Sequence, residues 1–280
     1  MPPASSSFTP LNIANDVVPE WMGSFTLAAP PNTDLWRKPP CRDTSTAPIL
    51  YTALRNPFIA AEVTVSADWE LEWDQGGLVI FAGAPPGLVT AAPEVPTVVD
   101  LILDDEADAL LAGAPQSPLA QSVAPPTAAA AAATATAPAP ARGPPPAYVP
   151  PAPASKWVKV GLEFCNNACH ATSVVANCDG ADWSLSALPP HHARRLDLRV
   201  KIERIGYALW VWYEDEVVGW KKLREVTWFF WGVEDKAVRV GVYASRPANF
   251  GMSMYDRRNG GGQNAGARNL CVDFEGLEIF

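Results

Sequence analysis

The stretch RLDLRVKIER, residues 195–204, alternates without a break: Leu196, Leu198, Val200 and Ile202 fall on one side of an extended chain, and Arg195, Asp197, Arg199, Lys201 and Glu203 on the other. Period two with one apolar face predicts a strand with the core on one side and water on the other. The same period dominates outward from here. YALWVWY (207–213) is apolar on both faces, EDE (214–216) supplies a polar turn, and VVGWKKL (217–223) returns, which predicts a hairpin. KAVRVGVYAS (236–245) and NLCVDFEGLEIF (269–280) add two strands. In the second, the apolar set shifts from Val272 and Phe274 to Leu277 and Ile279, so a bulge is expected at Glu275 and Gly276. Upstream, FIAAEVTV (58–65), GGLVIFAG (76–83), KWVKVGLEF (156–164), HATSVVAN (170–177) and WSLSAL (183–188) bring the total to about ten strands with no substantial helix, the signature of a β-sandwich.

The chain has 280 residues and a net charge of −9, enough to bury a sizeable core. With no basic stripe to offset that charge, neither nucleic acid nor an anionic membrane is an expected partner. The opening MPPASSSFTP lacks the basic and apolar regions of a signal peptide, and no apolar run is long enough to span a bilayer. Five cysteines, an odd number, read as reduced thiols, and the expected address is the cytoplasm.

Residues 84–154 break the pattern. Ala and Pro dominate, ending in TAAAAAATATAPAPARGPPPAYVPPAPA, with almost no aromatic or β-branched anchors in the second half. Such a segment cannot bury enough apolar area to offset the entropy of ordering it, so a disordered insertion is expected. Within it, Val98, Leu101, Ile102, Asp105 and Leu110 fall near helical spacing, which would suit a short amphipathic helix over 97–112. The domain assignment is a single sandwich from 1–83 and 155–280, with 84–154 inserted. Pro145, Pro146 and Tyr148 spell P-P-x-Y, a form that WW domains accept, although proline-rich tracts generate such tetrapeptides freely.

The order PEW (19–21), TDLWR (33–37), DQGGL (74–78), WVKVGLEF (157–164), DWS (182–184), LRVKIER (198–204), WYEDEVVGWKKLRE (212–225), VRVGVYAS (238–245) and VDFEGLEI (272–279) resembles the concanavalin-A-like domain family that includes the regulation-of-enolase protein. The resemblance implies a two-sheet jelly roll with a concave face and a short turn between GGLVIF and WVKVGLEF, which is where 84–154 is inserted. It carries no established catalytic residues. It also implies a role in regulating carbohydrate metabolism.

Three sets of residues are candidates for chemistry. Glu70, Glu72 and Asp74 alternate between Trp69 and Trp73, as do the paired carboxylates of a glycosidase, but they fall in the connection leading into DQGGLVIF. A structural or solvated role is expected, with Asp74 and Gln75 bonding the turn. Cys165, Cys169, His170 and Cys178 lie close in sequence without matching a zinc spacing, and no metal or cofactor is expected. HHARR (191–195) reads as a solvated basic turn rather than a phosphate grip. Trp210 and Trp212 share a strand face, Trp220 lies on the hairpin partner, and TWFFWG adds Trp228 and Trp231. These could pack a core or form an aromatic platform. The resulting expectation is a non-enzymatic, lectin-like domain whose partner is a glycan, a metabolic enzyme or a WW-domain protein. The alternatives are a glycoside hydrolase on the same sandwich and an interaction scaffold acting through the Pro-rich segment.

Overall fold

The computed structural model describes residues 3–14, 18–40, 42–88, 155–192, 195–233, 236–248 and 268–280. Contacts divide the chain into a unit of Met1–Thr90 with Ala152–Phe280 and a second unit, Ala91–Pro151, which lies outside the described residues. The expected helix over 97–112 falls there. Among the described residues no helix is long and apolar enough to cross a membrane.

The described chain forms fifteen strands: β1 (Phe8–Leu11), β2 (Ser24–Ala29), β3 (Leu35–Lys38), β4 (Arg42–Ser45), β5 (Ile49–Ala53), β6 (Ala60–Ala67), β7 (Gln75–Ala82), β8 (Lys156–Cys165), β9 (Ala168–Asn177), β10 (Gly180–Ala187), β11 (Asp197–Ile205), β12 (Ala208–Asp215), β13 (Gly219–Val226), β14 (Val238–Ser245) and β15 (Leu270–Ile279). They build a seven-stranded sheet, β1-β5-β14-β7-β8-β9-β10, a six-stranded sheet, β13-β12-β11-β6-β15-β2, and the small hairpin β3-β4. The protein is thus an all-β sandwich of two antiparallel sheets.

Alternation accounts for the six-stranded sheet. Leu198, Val200 and Ile202 of β11 point into the core with Val63 and Val65 of β6, Leu209 and Val211 of β12, and Val272 and Phe274 of β15. Leu196 does not join them: β11 begins at Asp197, and Leu196 is exposed, its carbonyl accepting the indole N–H of Trp69 at 2.7 Å. Tyr207 likewise precedes its strand, and its ring meets Trp231 edge-on at 5.1 Å. The expected bulge in β15 is present as a register shift between Glu275 and Glu278.

The seven-stranded sheet differs because part of its outer face is covered as well as its inner one. Every residue of β7 is buried. Leu78, Ile80 and Ala82 meet the inter-sheet core, whereas Val79 and Phe81 meet a second apolar layer with Leu35, Tyr51, Trp157, Val174 and Tyr243. The β3-β4 hairpin helps to cover that outer layer. It is held by Arg37, which makes a paired bond with Asp43 at 2.8 and 2.9 Å and donates to the carbonyls of Ser155 and Asn177 at 2.7 and 3.0 Å.

Strands β7 and β8 are antiparallel neighbours whose register closes at Ala82 and Lys156. The long segment between them therefore leaves and re-enters at one corner of the sheet. Beyond β7 the described chain runs on through residue 88. Pro85 and Pro86 are buried, and the Pro86 carbonyl accepts Ser45 Oγ at 2.7 Å.

Candidate functional site

The outer face of the seven-stranded sheet is not covered throughout. Cross-strand pairing sets out three successive rows: Val79, Lys159, Val174 and Trp183; then Gly77, Gly161 and Thr172; then Gln75, Glu163 and His170. The middle row is low because the strands approach too closely there for side chains. A Cβ on Gly161 would stand 1.8 Å from the Gly76 carbonyl oxygen, and one on Gly77 would stand 2.0 Å from that of Val160.

Over this floor lies a cleft of about 410 Å³ lined by Asp34, Trp36, Lys38, Trp73, Gln75, Lys159, Glu163, Val174, Trp183 and Pro247. Charged groups sit on the buried side. Lys159 Nζ donates to Asp34 Oδ1 at 3.0 Å and lies 5.4 Å from the centre of the Tyr243 ring. Glu163 Oε2 accepts Thr172 Oγ1 at 2.6 Å and Trp183 Nε1 at 3.1 Å. Burial pushes the Glu163 carboxyl above its ordinary value, against the opposing pull of Thr172, Lys159 and Trp183. Burial, with the nearby Glu163 and Asp34 carboxylates, also holds the Tyr243 phenol protonated well past its usual range.

Aromatic rings line the open side. Trp183 is 41% exposed although its N–H is anchored, and Trp73 is 47% exposed. Trp73 has φ = 69°, a left-handed conformation that is uncommon for a bulky residue. The chain therefore accepts local strain at the position that projects this ring into the cleft. Sequence reading missed the site because its residues come from β3, β7, β8, β9 and β10 and the loops beside them, with no linear motif. The available signal was Lys159 and Glu163 inside the otherwise apolar strand KWVKVGLEF.

The candidate catalytic acids do not line this cleft. Asp74 is buried and forms a paired bond with Arg246 at 2.8 and 2.7 Å, and it also accepts the backbone N–H groups of Glu70 and Leu71. Glu72 accepts the backbone N–H of Asn166 at 3.1 Å and the Cys165 thiol. Glu70 is exposed, 3.7 Å from Arg246. Together they brace the β6–β7 connection.

The five candidate tryptophans do not converge on one platform. Trp210, Trp212 and Trp220 share the outer face of the six-stranded sheet. Trp210 and Trp212 stack at 5.8 Å, with Lys222 4.6 Å from the Trp210 ring and Lys201 4.9 Å from Trp220. Trp228 packs against the inter-sheet core, and Trp231 is exposed on the turn after β13. Cys165, Cys169, His170 and Cys178 are not gathered: among the described residues only His191, His192 and Asp215 form a potential metal-ligating cluster. Pro145, Pro146 and Tyr148 lie outside the described residues.

Comparison with known proteins adds the following. Residues 142–257, less than half of the chain, match the profile of a family described as "Protein of unknown function (DUF1349)". The matched span contributes Lys159, Glu163, Val174, Trp183 and Pro247 to the cleft. The chain is 28% identical over 228 residues to the uncharacterized protein AN7484 of Emericella nidulans, covering 81% of this chain and 79% of that one. In structure it is similar to a functionally unknown protein from Saccharomyces cerevisiae, with a TM-score of 0.56 and 16% identity over 99% of this chain and 98% of that one. A xylan β-1,4-xylosidase from Bacillus halodurans gives a TM-score of 0.47 at 8% identity, over 90% of this chain and 32% of the xylosidase. At that level only a loose strand arrangement is shared, and nothing about activity follows.

Proposed function

We propose that the cleft on the seven-stranded sheet binds a neutral carbohydrate and that the protein is a lectin-like binding domain. The observation that carries this reading is the pairing of exposed indoles, Trp73 and Trp183, with a floor of buried hydrogen-bonding groups, Gln75, Lys159 and Glu163. A sugar ring has an apolar face for an indole and an edge of hydroxyls for such a floor. Charge points the same way. The lining holds two lysines and two carboxylates, and Lys159 is already paired with Asp34, so the site offers no net charge to a phosphate or a polyanion. The resemblance noted from the sequence extends the proposal to regulation of carbohydrate metabolism, with the cleft as the sensing element.

Glu163 favours a second reading. A buried carboxyl that keeps its proton beyond the ordinary range, facing a cleft beside another carboxylate, has what a glycosidase proton donor needs. A panel of oligosaccharides screened for both binding and hydrolysis separates the two. Binding without turnover, weakened about tenfold in Trp183→Ala, supports the lectin reading. Turnover abolished in Glu163→Gln supports the enzyme, and absence of both binding and turnover across the panel contradicts each.

A further inference from the structure

On the other side of the sandwich, the turn that precedes β11 meets the β12–β13 turn. His191 Nε2 lies 3.1 Å from Asp215 Oδ1, and one ligand atom from each of His191, His192 and Asp215 lies within 4.8 Å of the others. Two donors on one tetrahedral zinc ion stand about 3.4 Å apart, so His191 and Asp215 already have that spacing and a shift of up to about 1.4 Å completes the set. His192 is the telling residue. It is 3% exposed, its Nδ1 has no hydrogen-bond partner, and its Nε2 is met only by the Glu216 backbone N–H at a long 3.4 Å. A buried imidazole left so poorly satisfied is costly unless something else binds it.

Asp215 is equally suggestive. Its Oδ1 takes His191 and the backbone N–H groups of Val217 and Val218, while Lys221 lies 3.8 Å from Oδ2. Lys221 and Arg195 are the nearby cations. Arg195 is already paired with Asp197 and Glu216, and Lys221 is partly exposed and lies 5.6 Å from the centre of the Tyr213 ring.

We propose that His191, His192 and Asp215 bind a divalent transition-metal ion that clamps these two turns together. Two imidazoles and one carboxylate suit zinc or its neighbours in the first transition row, and not magnesium or calcium, which prefer oxygen donors throughout. His191 is 41% exposed, which leaves the fourth coordination position on the solvent side for water. The site is separate from the carbohydrate cleft and does not depend on it.

The test is a Co²⁺ titration of the full chain, followed by absorbance and by melting temperature. Cobalt reports its donors: thiolate ligands add an intense charge-transfer band that nitrogen and oxygen ligands do not. The expected result is saturable binding without that band, a rise in melting temperature reversed by EDTA, and an affinity at least about tenfold weaker in His191→Ala. Cys169→Ser should bind as the wild type does. His191→Ala leaves the backbone bonds of Asp215 in place, so loss of binding in a folded variant is readable. Unchanged binding in both His191→Ala and His192→Gln, or a thiolate band lost in Cys169→Ser, overturns the proposal.

Discussion

The indole Nε1 of Trp183 on β10 donates to Glu163 Oε2 on β8 at 3.1 Å, so an exposed wall of the cleft is fastened to its buried floor. This bond makes the state of Glu163 a matter of stability as well as of binding. Burial raises its pKa above the ordinary 4.5 of the unfolded chain. Between the two values the folded protein holds more protons than the unfolded one, so this group's contribution to stability falls as pH rises through that window. Glu163→Gln cannot ionise. Its melting temperature relative to the wild type should climb between pH 4 and neutrality, and a difference that stays flat or declines would contradict the assignment.

Trp73 offers a test of stored strain. A left-handed backbone at a bulky residue costs of order 1–3 kcal/mol, and glycine adopts it freely, although glycine also loosens the unfolded chain. Trp73→Gly should therefore keep or raise the melting temperature while weakening carbohydrate binding. A clear loss of stability would mean that the ring serves packing.

The buried Asp74–Arg246 pair should behave in the opposite way. Removing one partner strands the other's charge in the interior, where the cost is about 3–5 kcal/mol. Asp74→Ala is expected to lower stability by that order in chemical denaturation. A double variant, Asp74→Leu with Arg246→Met, should recover much of the loss. A cost under about 1 kcal/mol for the single variant would show that the pair is solvated.

Legibility in the sequence followed periodicity. Strands with clean alternation, such as β11 and β6, were readable because each has one wet face. The five strands within residues 8–53 were not among those predicted. Phe8–Leu11, Leu35–Lys38 and Arg42–Ser45 span only four residues each, and Ile49–Ala53 is buried at all but its last position, so these four show no sustained period of two; Ser24–Ala29 does alternate, with Phe25, Leu27 and Ala29 buried, but over only six residues. The cleft was illegible for a related reason. Glu163 and Trp183 are twenty residues apart in sequence, and only the β8-β9-β10 register brings their side chains together. The tryptophans that were legible, Trp210 and Trp212, stood out because they share one strand, where their rings stack on each other beneath lysines.

Because β7 and β8 meet in register at Ala82 and Lys156, the sandwich is expected to fold without residues 89–154. Closing a loop costs free energy only as the logarithm of its length, so a short Gly/Ser turn in their place should preserve the fold or raise its melting temperature slightly. Leu88 and Ser155 must be kept as the ends, because Pro85, Pro86 and the Ser155 carbonyl pack within the sandwich. An insoluble product would show that the removed segment contributes to the core.

The most direct test of the carbohydrate cleft is to follow the tryptophan indole N–H signals by NMR while titrating a neutral oligosaccharide selected from the binding panel. Saturable shifts are expected at Trp183 and Trp73, with Trp183 affected most because its N–H bridges to Glu163. Shifts confined to Trp210, Trp212 and Trp220, with Trp183 and Trp73 unmoved, would place the ligand on the other sheet and contradict the proposed cleft.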